Sequence, residues 1–155
     1  MQKEHHYSAQ TTWVGHDPAQ PFTYKSYDRS HVFKVDGKPE LEMSADPNFL
    51  GNPNILNPED CLIAALSSCH MLSYLAFAAM RKVAVVSYVD HASGVMLQDG
   101  NGGRFSKVTL APTVTILNEK DRDIAAALHH TASENCFIAA SVNFPVLHSP
   151  TILVA

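Results

Sequence analysis

The stretch Asn57-Pro58-Glu59-Asp60-Cys61-Leu62-Ile63-Ala64-Ala65-Leu66-Ser67-Ser68-Cys69-His70-Met71-Leu72-Ser73-Tyr74-Leu75-Ala76-Phe77-Ala78-Ala79-Met80-Arg81-Lys82 reads as one long helix. Asn57 is a good N-cap, Pro58 fits the first turn, and Glu59 and Asp60 lie where the helix dipole favours negative charge. Arg81 and Lys82 suit the opposite end. At about 1.5 Å per residue the helix is about 35 Å long, enough to span a small domain. From Leu62 to Met80 it is apolar on nearly every side and nearly as long as a membrane span. Ser67, Ser68, Cys69, His70, Ser73 and Tyr74 would be costly in lipid, so a core helix is the better reading. One sheet cannot cover such a helix; it calls for a second layer or a partner chain.

Around it, 155 residues fit one domain, 1–155, with 1–10 (His5 and His6 included) expected to be flexible. Hydrophobic residues make up 46% and charged residues 17%, an ordinary globular composition, and the net charge of -4 argues against general affinity for nucleic acid or an anionic membrane. No secretory signal is visible, which points to the cytoplasm. Upstream, Thr11–Val14 and Ser30–Val35 read as strands, and Asp36-Gly37 as a hairpin turn into a strand over Glu40–Ser44. Asp46–Asn57 reads as a loop. Downstream come strands over Val83–His91 and Val95–Gln98, and one long strand over Phe105–Leu117 with Pro112 at an edge or bulge. A second helix runs from Glu119 to Glu134, capped by Asn118, with Ile124, Ala127 and Leu128 on its apolar face and Asn135 as a left-handed stop. Short strands follow near Ala140–Val142 and Val146–Val154. The fold class is α+β, with antiparallel sheets and two helices.

There are three cysteines, Cys61, Cys69 and Cys136. In a reducing compartment these are inert core residues, metal ligands or working thiols. Eight helical residues put Cys61 and Cys69 about 12 Å apart along the axis, beyond the roughly 4.4–6.8 Å Cα span of a disulfide. Cys61 is most simply a small buried hydrophobe. Cys69 sits mid-helix and Cys136 at a helix-to-strand junction, where it could approach a mid-helix thiol; spacing alone leaves core residues and a redox pair both open. Zinc is a rival, with Cys69, His70, His129, His130 and Cys136 as soft ligands. Adjacent helical residues point about 100° apart, however, and no CxxC or HxxxH pattern supports a metal site. His31, His70, His129 and His130 read as structural or surface residues.

The run Asn57 to His70 closely resembles the signature helix of the OsmC/Ohr family of thiol peroxidases, with a Pro-Glu at the start and the reactive cysteine ten residues after the glutamate, here Glu59 and Cys69. The run His129-His130-Thr131-Ala132-Ser133-Glu134-Asn135-Cys136-Phe137-Ile138 resembles the family's second signature. Tyr27-Asp28-Arg29-Ser30-His31 looks like the segment carrying its arginine. Ser-Ser-Cys-His resembles the OsmC-like branch.

The resemblance implies an OsmC/Ohr-like fold, with sheets wrapped around two long central helices in an intertwined homodimer and active sites at the interface. It implies that Cys69 reduces organic hydroperoxides, and hydrogen peroxide less well, through a sulfenic acid. Cys136 would then close a disulfide that an external dithiol, of lipoyl or similar type, reduces; no bound cofactor or metal is needed. Only a thiolate attacks peroxide efficiently. Lowering a thiol's pKa by about three units takes about 4 kcal/mol, roughly what one guanidinium at about 4 Å supplies at an effective dielectric near 20. Arg29 fills that role, and Glu59 orients it. Glu59 lies about 15 Å along the helix from Cys69, so the expectation is that the partner chain supplies it. Leu72, Phe137 and Ile138 are candidates for favouring organic substrates. The alternative is a non-catalytic redox-sensing or ligand-binding member of the same family.

Overall fold

A computed structural model describes residues 3–155. Of the flexible stretch expected at 1–10, residues 1 and 2 lie outside the described residues, and Gln10 already belongs to a strand. The chain forms two compact units, Met1–Cys61 and Leu62–Ala155.

The first unit holds a three-stranded antiparallel sheet of β1 (Gln10–Thr12), β2 (His31–Lys34) and β3 (Leu41–Met43), in that order. The β2–β3 reversal falls at Asp36-Gly37, as expected, with Gly37 at φ 75° and Lys38 N–H donating to the Val35 carbonyl. A left-handed φ at that position is why a residue without Cβ stands there. The loop after β3 contains one short 3-10 turn, Pro47–Phe49, and leads to Asn57.

Helix α1 spans Pro58–Met80 without a break. Its start is a reciprocal cap: Asp60 N–H donates to Asn57 Oδ1 at 2.8 Å, and Asn57 N–H donates to Asp60 Oδ2 at 3.2 Å. Its end differs in detail from expectation. Lys82 takes φ 59°, its N–H reaches the Ala79 carbonyl, and Val83 N–H reaches the Ala78 carbonyl. This is the double-bonded helix stop usually made with glycine.

In the second unit α1 buries one stripe, Leu66, His70, Tyr74 and Ala78, at i, i+4 spacing. Leu66 packs on Val108 and Leu110 of a sheet ordered β5 (Ser93–Asp99), β6 (Gly102–Leu110), β8 (Val146–His148). Tyr74 and Ala78 pack on Val114 and Ile116 of a second sheet, ordered β4 (Val85–Asp90), β7 (Pro112–Ile116), β9 (Thr151–Val154). Helix α2 (Arg122–Glu134) adds Ala125, Leu128 and Ala132 to that second cluster.

The α+β class holds, and seven local expectations are corrected. Phe105–Leu117 is two strands in two sheets: Ala111 separates them, and Pro112 opens β7 because a strand's first residue needs no ladder N–H there. Ser149-Pro150 likewise splits Val146–Val154 into β8 and β9. Both of these C-terminal strands pair in parallel, β8 with β6 and β9 with β7, after the crossover through α2. Ala139–Ser141 is a 3-10 turn, not a strand. Asn118 precedes a short turn rather than capping α2 by its side chain, and Asn135 has φ -109° rather than a left-handed conformation. The buried face of α2 is Ala125, Leu128, His129 and Ala132, while Ile124 is 44% exposed and Ala127 is exposed.

Candidate active site

Two of the predicted residues are brought together. Cys69 projects half-buried from the middle of α1, and Cys136 lies buried just beyond α2. Their side chains meet closely enough for Cys69 to raise the Cys136 thiol. Cys136 is pushed up to about 11, first by burial and next by that contact; Ala139 N–H, reaching its sulfur at 3.5 Å, works in the other direction. Cys136 is therefore held as a neutral thiol at physiological pH, beside a second thiol that solvent can reach. Cys61 belongs to neither role. It sits in the first turn of an unbroken helix, and burial, with Asp60 adjacent, pushes its thiol up.

Arg29 and Glu59 fall in the first unit, while Cys69 and Cys136 fall in the second. Arg29 is half-buried; its Nη1 donates to the Tyr27 carbonyl at 2.9 Å and its Nη2 to the Tyr24 carbonyl. Its guanidinium lies 4.2 Å from the Tyr27 ring centroid and 4.9 Å from that of Tyr24. Two of five donors are thus committed to backbone, and the aromatic faces stabilise the cation where water is partly excluded. A pocket of about 420 Å³ opens beside it, walled by Trp13, Phe22, Tyr27, His31 and Ser44 among others. Trp13 meets Phe22 and Tyr27 edge-on and donates its indole N–H to the Asp28 carbonyl at 2.6 Å. Glu59 is half-buried in the first turn of α1, and among the described residues no ion pair joins it to Arg29 within the chain.

The structure adds a feature built from His70 and His129, which the sequence offers as structural or surface residues and as ligands of the rival zinc site. His70, on α1, and His129, on α2, are both fully buried, and His70 Nε2 lies 3.1 Å from His129 Nδ1. Tyr74 stacks on His129 with ring centroids 4.1 Å apart, and His148 of β8 lies 5.7 Å from His70 by the same measure. Burial pushes His129 down to about 3, with His70 and His148 adding, and it lowers His70 as well. Nearby, Asp90 ties the helix to the strands: it accepts from Ser67 Oγ and from Ala111 N–H at 2.7 Å. His31 is half-buried with Nδ1 2.9 Å from the Arg29 carbonyl, and His130 is exposed beside Glu134. Leu72 and Phe137 are exposed, and Ile138 is at the edge of exposure. Among the described residues no group of three or more His, Cys, Asp and Glu side chains is arranged to hold a metal ion.

The model of the OsmC-like protein family matches residues 51–149, which include both thiols. An OsmC-like protein of unknown function from Vibrio cholerae is similar at 35% identity and TM-score 0.84, over 95% of this chain and 99% of that one. An organic hydroperoxide resistance protein from Elizabethkingia anophelis shares the fold at 18% identity and TM-score 0.70, over 100% of both chains. A further organic hydroperoxide resistance protein, from Legionella pneumophila, shares it at 18% identity and TM-score 0.61, over 95% of this chain and 97% of that one. No curated protein matches the sequence.

Proposed function

The chain belongs to the OsmC-like protein family, and on that premise we propose that it is a thiol peroxidase reducing organic hydroperoxides. The observation that carries this reading is the contact between an accessible Cys69 and a buried Cys136 kept as a thiol. Names of similar folds in other organisms, two of them organic hydroperoxide resistance proteins, point the same way.

The chemistry divides between the two sulfurs. The Cys69 thiolate attacks the distal peroxide oxygen, the O–O bond breaks, and the alkoxide leaves as the alcohol on taking a proton. Cys69 is left as a sulfenic acid. The Cys136 sulfur then displaces hydroxide from it, forming the Cys69–Cys136 disulfide and releasing water. An external dithiol, of lipoyl or similar type, reduces that bond by exchange and leaves as its own disulfide. Burial keeps Cys136 from competing for peroxide, since a thiol is a poor nucleophile. In this reading Arg29 stabilises the attacking thiolate and the peroxide, Glu59 of a second copy orients it, and the aromatic pocket beside Arg29 receives the apolar body of the substrate. A homodimer also explains the exposed apolar face of α1. The cycle suits a cytoplasmic location, where dithiols are regenerated.

The test compares the wild type with Cys69→Ser on cumene hydroperoxide with dihydrolipoamide. Turnover should fall at least about 10³-fold, the loss of covalent chemistry, and unchanged turnover would sink the assignment. Peptide mapping after oxidation should find Cys69 joined to Cys136; a Cys61 linkage counts against it. Stoichiometric oxidation without turnover would mark a redox sensor instead.

A further inference from the structure

Helix α1 carries Cys69, Cys136 follows the end of α2, and the His70–His129 bond crosses between the two helices. His70 follows Cys69 directly, and His129 lies two turns ahead of Cys136. Both rings are fully buried, at 2% and 0% exposure, and their planes lie within 10° of parallel. The groups facing the pair are Tyr74 on α1, Tyr88 and Asp90 on β4, and His148 on β8. Asp90 spends its two oxygens on Ser67 and Ala111, and among the described residues no carboxylate hydrogen-bonds either ring.

The arrangement selects one tautomer. Two neutral imidazoles can share one proton between them in only one direction at a time. His129 Nε2 is buried without a partner. Were His70 the donor, the His129 proton would sit on Nε2 as a buried, unpaired N–H, the costlier orphan. His129 Nδ1–H therefore donates to His70 Nε2.

Resting on the reading of Cys69 and Cys136 as a redox pair, we propose that His129 and His70 are positioning residues whose interhelical bond sets how well the two sulfurs meet. The bond holds α1 from rotating about its axis at the residue next to Cys69. A misplacement of about 1 Å between reacting atoms can cost up to about 10²-fold in effective concentration. Nothing in the pair touches peroxide.

The measurement needs no peroxide. The full chain is equilibrated with reduced and oxidised glutathione at pH 7 and acid-trapped, and its Cys69–Cys136 disulfide is quantified by peptide mass. The exchange balances as protein disulfide plus two glutathione thiols giving protein dithiol plus glutathione disulfide. His129→Phe and His70→Phe keep a ring of similar size and remove the bond. Each should lower the effective concentration about tenfold, a shift of about 30 mV. His129→Asn, whose amide N–H can stand where Nδ1–H stands, should stay within about threefold of wild type. Tyr74→Phe, which removes an unpaired hydroxyl from the same cluster, should leave it unchanged. Either phenylalanine variant, folded by circular dichroism yet within twofold of wild type, overturns the proposal; one folded variant suffices. A tenfold loss in Tyr74→Phe overturns it too, since packing alone would then explain the effect. Absent peroxide turnover in a wild type that forms the disulfide normally would count against the peroxidase reading and leave this one standing.

Discussion

At the scale of single residues, the buried polar groups of the second unit make definite demands. His129 is depressed from about 6.5 to about 3 by burial, so the folded chain holds it neutral where the unfolded chain would protonate it. Its contribution is fully present above pH 6.5 and is lost as the pH falls toward 3. At pH 5 it alone should cost about 2 kcal/mol, and His70, lowered for the same reason, adds to that. Urea unfolding at pH 7 and pH 5 measures this loss, and His129→Asn should flatten the slope. A wild type equally stable at both values would contradict it. The Tyr74 hydroxyl is buried without a partner, so Tyr74→Phe should raise stability by about 1 kcal/mol in the same assay. His129 was legible as a buried residue, since it shares i, i+3, i+4 and i+7 spacing with Ala125, Leu128 and Ala132. Reading Ile124 and Ala127 as the apolar face hid it. The bond to His70 was not legible, because its partners are 59 residues apart and meet only through packing.

Elements were legible where local chemistry decides them. The Asn57 cap, the Asp36-Gly37 reversal and the unbroken run of α1 follow from residues within a few positions of each other. Asn57→Ala should cost about 1 kcal/mol by leaving Asp60 N–H without its acceptor, measurable as a lower urea midpoint at unchanged slope. At the other end, Lys82 carries a left-handed backbone at φ 59°. Lys82→Gly should recover up to about 1 kcal/mol, less what glycine adds to the unfolded chain's freedom. Misreadings came where partners are distant. Val108 to Ile116 alternates like one strand, yet its halves serve different sheets on different halves of α1. Parallel pairing of the last strands depends on a crossover that no local pattern reports.

For the whole molecule, α1 is the element that remains incompletely explained by one chain. Its buried stripe is four residues, while Leu72 is 60% and Met80 73% exposed. Burying one such leucine is worth about 2 kcal/mol, which favours the proposed second copy as its cover. Light scattering should report a dimer for the wild type, and Leu72→Glu should shift it toward monomer; a monomeric wild type would remove the two-chain site. The thiol pair could be suspected from spacing but became specific only through the family signatures, and Arg29 with its aromatic surroundings was legible only as a motif. Those surroundings have an optical consequence. Trp13 is the chain's one tryptophan, and it stands in the pocket beside Arg29 with Tyr27 and Phe22 against its edges. Excited at 295 nm or so, the whole molecule therefore emits from that pocket alone, and a ligand seated there would quench or blue-shift the signal without any label being attached.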